Sequence, residues 1–119
     1  MKSLNLMHLI AVWLIFTSQF AVGQIQLGSD LIGSAEDDVF GRVVDVSGEG
    51  NIIAISSPLS GNGGSIGSGN VKIYIYENGN WTQLGSTLED DLFNDTRFGT
   101  SISLNETGNR IAIGAPRSL

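Results

Sequence analysis

Phe40-Gly41-Arg42-Val43-Val44-Asp45-Val46-Ser47-Gly48-Glu49-Gly50-Asn51-Ile52-Ile53-Ala54-Ile55-Ser56-Ser57-Pro58 decides the fold, because the chain writes it twice. The second copy is Phe98-Gly99-Thr100-Ser101-Ile102-Ser103-Leu104-Asn105-Glu106-Thr107-Gly108-Asn109-Arg110-Ile111-Ala112-Ile113-Gly114-Ala115-Pro116. It lies 58 residues on without a gap, and eight of the 19 positions are identical. A second piece recurs in the same order: Gln26-Leu27-Gly28-Ser29 with Leu31 returns as Gln83-Leu84-Gly85-Ser86 with Leu88, at an offset of 57. Two ordered matches mark a repeat, and a fixed period of this length is the signature of stacked structural units.

Alternation within one period predicts four short strands. Residues 42–46 place Val44 and Val46 on one face, and a turn at Ser47-Gly48-Glu49-Gly50 leads to residues 51–56. There Ile53 and Ile55 face one way and Ile52 and Ala54 the other, the pattern of a strand covered on both sides. The Gly/Ser-rich residues 59–69 read as a loop. Val71, Ile73 and Ile75 then alternate with Lys72, Tyr74 and Tyr76 in a third strand. Asn78-Gly79 is a type I′ hairpin signal, since that turn needs positive φ at both central residues, and the fourth strand follows over residues 81–84. No helical periodicity is found beyond residue 23. The expected fold class is all-β, with antiparallel four-stranded blade repeats of a β-propeller and about one and a half blades present.

The residues before the repeat read as an export signal. Lys2 supplies a positive charge, residues 4–16 are mostly apolar, and Ala21-Val22-Gly23 is a small-x-small cleavage pattern. The division expected is a signal peptide over 1–23, an outer strand and connector over 24–39, a first blade with its connector over 40–97, and the first half of a second blade over 98–119. A retained membrane anchor is the alternative, but the apolar run falls short of the ~20 residues a span needs. No other stretch reads as a membrane span.

Composition narrows the chemistry. The chain carries 6 Lys and Arg against 12 Asp and Glu, and loss of Lys2 with the leader makes the balance more acidic still. Nucleic acid needs a basic footprint and is not an expected partner. There is no Cys, and the one His, His8, lies in the leader. Beyond residue 23 the chain therefore lacks the side chains of common zinc sites and of Ser-His-Asp or Cys-His nucleophile systems.

The Phe-Gly pairs at 40–41 and 98–99, with Ile-Ala-Ile-Gly-Ala-Pro at 111–116, resemble the FG-GAP repeat of integrin-α-like propellers. The first copy, Ile53-Ala54-Ile55-Ser56-Ser57-Pro58, departs at the Gly-Ala positions. Trp81-Thr82-Gln83-Leu84-Gly85 and the acidic lead-in Glu36-Asp37-Asp38 look like the same family, so the resemblance covers nearly all of residues 24–119. It implies a secreted or cell-surface ring of blades that serves adhesion or recognises an extracellular protein or polysaccharide. The alternatives are an accessory propeller of a larger secreted enzyme and a calcium-binding FG-GAP module. Rings of this kind hold roughly 4–8 blades, so the chain is expected to be a fragment, and residues 24–28 are expected to complete the last blade of the ring.

Candidate sites meet simpler readings. The resemblance implies an Asp-x-Asp-x-Asp-Gly calcium loop between the first two strands, but Ser47-Gly48-Glu49-Gly50-Asn51 and Asn105-Glu106-Thr107-Gly108-Asn109 each hold one carboxylate. Calcium takes six to eight oxygens, so a hairpin turn is the better reading. Glu36-Asp37-Asp38 and Glu89-Asp90-Asp91 with Asp95 suggest paired-carboxylate hydrolysis, but a feature repeated in each unit suits architecture better than a unique active site. Gly61-Asn62-Gly63-Gly64 and Gly67-Ser68-Gly69 match no phosphate-binding pattern. Tyr74, Tyr76 and Trp81 suit a packed core better than a sugar platform. Sequons begin at Asn80, Asn94 and Asn105. No catalytic, cofactor-binding or metal-ligating residue is assigned, and no cofactor is expected, with calcium the one considered.

Overall fold

A computed structural model describes residues 5–7, 23–60, 67–90 and 95–117. The expected leader lies almost wholly outside them, as do Asn94 and the Gly61-Asn62-Gly63-Gly64 stretch. Among the described residues no helix is long and apolar enough to cross a membrane.

The fold is antiparallel β with almost no helix. Strands β1 (Val44–Val46), β2 (Ile52–Ser57), β3 (Asn70–Glu77) and β4 (Asn80–Gln83) lie in sequence order in one sheet, and β5 (Leu88–Glu89) joins β3 beyond β4. Strands β6 (Ser101–Leu104) and β7 (Ile111–Gly114) form a separate hairpin. The four expected strands are present, and their limits differ for local reasons. β1 starts late because Arg42 is held in a turn, its amide donating to the Val39 carbonyl at 3.1 Å. Asn78 and Gly79 both take positive φ, 52° and 82°, as a type I′ turn requires.

Three features depart from expectation. Residues 24–28 form no strand. The Leu27 carbonyl accepts the Trp81 indole N–H at 2.9 Å, and the Ser29 amide donates to Asn80 Oδ1 at 3.0 Å. Side chains of the β3–β4 hairpin thus hold this segment in place of a backbone ladder. β5 is additional: after β4 the chain returns to the same edge of β3, pairing Leu88 with Val71. The acidic lead-in Glu36–Asp38 winds into one turn of 3-10 helix.

The sequence repeat is a repeat of structure, bond for bond. Val44 faces Ile55, Asp45 faces Ala54 and Val46 faces Ile53; 58 residues on, Ile102 faces Ile113, Ser103 faces Ala112 and Leu104 faces Ile111. The Gly41 amide donates to Ser56 O at 3.0 Å, and the Gly99 amide to Gly114 O at 3.1 Å. Even the strained backbone recurs, with Val39 at φ 53° and Arg97 at φ 54°. A β-branched residue is seldom found there.

Opposed residues share a face of a sheet, so the first sheet has a front with Val44, Val46, Ile53, Ile55 and Tyr74, and a back with Asp45, Ile52, Ala54, Ser56 and Val71. The β6–β7 hairpin lies on the back. Its front-type residues Ile102, Leu104, Ile111 and Ile113 are half-buried, whereas Ser103 and Ala112 on its own back are exposed. The contact excludes solvent, since Ala54, Ser56 and Val71 are fully buried. Polar bonds span it too: Asp45 Oδ2 accepts the Leu104 amide at 2.6 Å, and the Glu49 amide donates to the Glu106 carbonyl at 3.3 Å. The Leu104 amide points away from β7, because Asn105 beside it takes the ladder bond to Arg110. Replacing Asp45 with Ala strips the amide of its acceptor, a loss of about 1–3 kcal/mol. Hydrogen exchange checks this directly: the Leu104 amide should exchange faster, and unchanged protection would refute the bond's role.

Candidate functional site

The chemically distinctive place in the molecule lies where the two repeats meet, at their Phe-Gly ends. A cleft of about 520 Å³ opens there, within the size range of ligand sites. The described residues of its lining form four repeat-related pairs, each 58 residues apart: Val39 with Arg97, Arg42 with Thr100, Pro58 with Pro116 and Leu59 with Arg117. Each repeat thus offers the same four positions, and the face-to-back packing sets the two groups against one another.

Local bonds fix these positions. Val39 and Arg97 end their acidic lead-ins in the left-handed region, so the next amides turn back. Arg42 N donates to Val39 O and Thr100 N to Arg97 O, both at 3.1 Å. The Arg97 segment is tied down further by Thr96, fully buried, whose hydroxyl donates to Ser68 O at 2.9 Å. Phe98 N donates to the same carbonyl at 2.6 Å, and Arg117 N to Thr96 O at 3.3 Å.

The charge is segregated. Beyond residue 23 the chain holds five cationic side chains, Arg42, Lys72, Arg97, Arg110 and Arg117, and three of them line this cleft. Asp95 answers two of them: it accepts from Arg117 at 2.7 Å and lies 3.7 Å from Arg97 Nε. Arg42 makes no ion pair with a described residue. The balance here is positive on a chain of net charge −6. Apolar walls come from Val39, Leu59 and the two prolines.

Of the residues weighed from sequence, Asp95 meets the cleft arginines, and the others described are placed elsewhere. Ser47-Gly48-Glu49-Gly50-Asn51 is a hairpin turn closed by Gly50 N to Ser47 O at 2.8 Å, and the Ser47 hydroxyl accepts the Ile52 amide at 3.2 Å. In the second copy Asn105 Oδ1 accepts the Arg110 amide at 2.9 Å. Ser47 and Asn105, which open the two loops, thus turn their side-chain oxygens to the backbone of their own turns. Among the described residues no three of His, Cys, Asp and Glu come together as a metal site. Tyr74 is buried, which pushes its hydroxyl pKa up. Tyr76 and Trp81 are half-buried with ring centroids 5.2 Å apart, tilted at 56°, and Trp81 is occupied with Leu27. Asn80 Oδ1 is taken by Ser29, and the Asn105 side chain by its own turn.

The arginines were legible only as scattered cations. Setting the two copies in register is the signal that unites them: Arg97, Arg42 and Arg117 fall on three motif positions that flank the same strand ends. No family model, curated protein or solved structure matches the chain.

Proposed function

We propose that the chain is a non-enzymatic recognition scaffold working outside the cell, built from FG-GAP-like units as blades of a β-propeller, with ligand taken in the cleft between successive units. The observation that carries this reading is the cleft itself: four pairs of repeat-related residues, three arginines among them, around a pocket of ligand size. Support for the blade comes from the four-stranded order β1-β2-β3-β4, the matching register of β6–β7, and the face-to-back packing of the two units. Binding across unit boundaries suits such an array, since each boundary repeats the same geometry. The leader-like first residues support an extracellular setting.

The test is retention without turnover. The purified chain is incubated with neutral and acidic extracellular polysaccharides and with acidic peptides, and both bound protein and ligand chain length are measured. Retention on at least one ligand class with unchanged ligand length is expected. Shortening of any of them would overturn the non-enzymatic reading.

A further inference from the structure

We infer that the cleft between the repeats binds an acidic peptide segment, its carboxylates held by Arg42 and Arg117 and its aliphatic side chains seated against Val39, Leu59, Pro58 and Pro116; the inference rests on the recognition reading above. Arginine presents a planar fork that matches a carboxylate in two parallel hydrogen bonds. Of the three cleft guanidiniums, Arg42 makes no ion pair with a described carboxylate, and it shares the cleft with Arg97 and Arg117.

Asp95 shows what the site accepts. Its carboxylate already takes a 2.7 Å bond from Arg117 and lies beside Arg97. An incoming acidic group competes with it for the same donors. Asp95 also sits at φ 61°, a conformation that Asn adopts readily, so Asp95→Asn removes the competing charge and keeps the turn.

The wall chemistry selects among acidic ligands. A uronic-acid polymer offers carboxylates and hydroxyls but no aliphatic side chains to cover the apolar residues of the lining. Two prolines, a leucine and a valine suit the aliphatic side chains that alternate with acidic ones in an extended peptide. Successive side chains of an extended strand point to opposite sides, so alternate residues can meet the guanidinium and apolar walls.

The probe is a short acetylated peptide alternating Asp and Leu, titrated into the full chain at low and high salt. Its Asn–Leu counterpart and a uronate oligosaccharide serve as the other two ligands. Arg42→Gln and Arg117→Gln should each weaken the Asp–Leu peptide about tenfold, the scale of a charge-assisted hydrogen bond. Asp95→Asn should tighten it several-fold, and high salt should weaken binding by the wild type and by each variant. Thermal midpoints of the variants confirm that they remain folded.

Equal affinity for the Asn–Leu peptide, or affinity indifferent to both arginine variants, would overturn the inference. So would uronate binding that depends on these arginines while the peptide is ignored. Polymer retention that survives with the arginines removed leaves a recognition role elsewhere, whereas cleavage of a ligand removes the reading on which the inference stands.

Discussion

Gly99→Ala should destabilise the protein by about 2–5 kcal/mol, whereas Gly41→Ala, at the same place in the other repeat, should cost only about 1–2 kcal/mol. The two glycines have the same backbone, φ 87° at Gly41 and 88° at Gly99. A side chain at either therefore suffers the same left-handed strain. Their surroundings differ. A Cβ on Gly99 would stand 2.9 Å from both Ser56 Cβ and Val71 Cγ2 and 3.2 Å from the Asn70 carbonyl oxygen. A Cβ on Gly41 meets nothing within 4 Å. Ser56 and Val71 are fully buried and cannot yield without moving β2 and β3. The difference between the two variants isolates what the packing of one repeat on the other contributes. Urea denaturation of both measures it, and equal losses would mean that the second hairpin rests on the first sheet without adding stability.

Ile55→Ala should cost about 2–5 kcal/mol, the cost of truncating a large aliphatic side chain in a filled interior. Ile55 is 4% exposed at the middle of β2, between Val44 and Lys72 on the neighbouring strands. The interior is small: the buried apolar residues described are Ile52, Ala54, Ile55, Val71 and Tyr74. A small domain holds on the order of 5–15 kcal/mol in total, so this one change consumes a large share. Val44→Ala is the control on the same face. Val44 is 49% exposed, and its truncation should fall within about 0.5–1 kcal/mol. A midpoint shift for Ile55→Ala no larger than for Val44→Ala would show that the front of the sheet is not a core.

The strands that the sequence pattern announced are β1, β2, β3 and β4, because the pleat of a sheet imposes a period of two on its side chains. Asn78-Gly79 announced the hairpin for a different reason, the positive φ of its turn. Two elements left no such trace. β5 is two residues long, and a pair of residues has no period. Residues 24–28 carry a strand-like pattern, but among the described residues they have no ladder partner and are held by the side chains of Trp81 and Asn80.

The site was less legible than the fold. Arg42, Arg97 and Arg117 are distant in the chain, and none belongs to a motif that chemistry alone would single out. They converge because the second hairpin lies on the back of the first sheet, a tertiary fact that only the repeat register hints at. Asp95, read from sequence as one more member of an acidic lead-in, turns instead to two of these arginines. Its counterpart in the first copy, Asp37, begins no such pairing, since the residue after next there is Val39 and not an arginine.

The contact between the repeats joins unlike surfaces, the front of one unit and the back of the one before it. Such a joint has a sense of direction, as a hook and an eye do, and a two-fold dimer cannot satisfy it, because two-fold symmetry sets each surface against itself. The second hairpin leaves its own back, with Ser103 and Ala112, exposed at one end, while Val44 and Val46 stay half-exposed on the first front at the other.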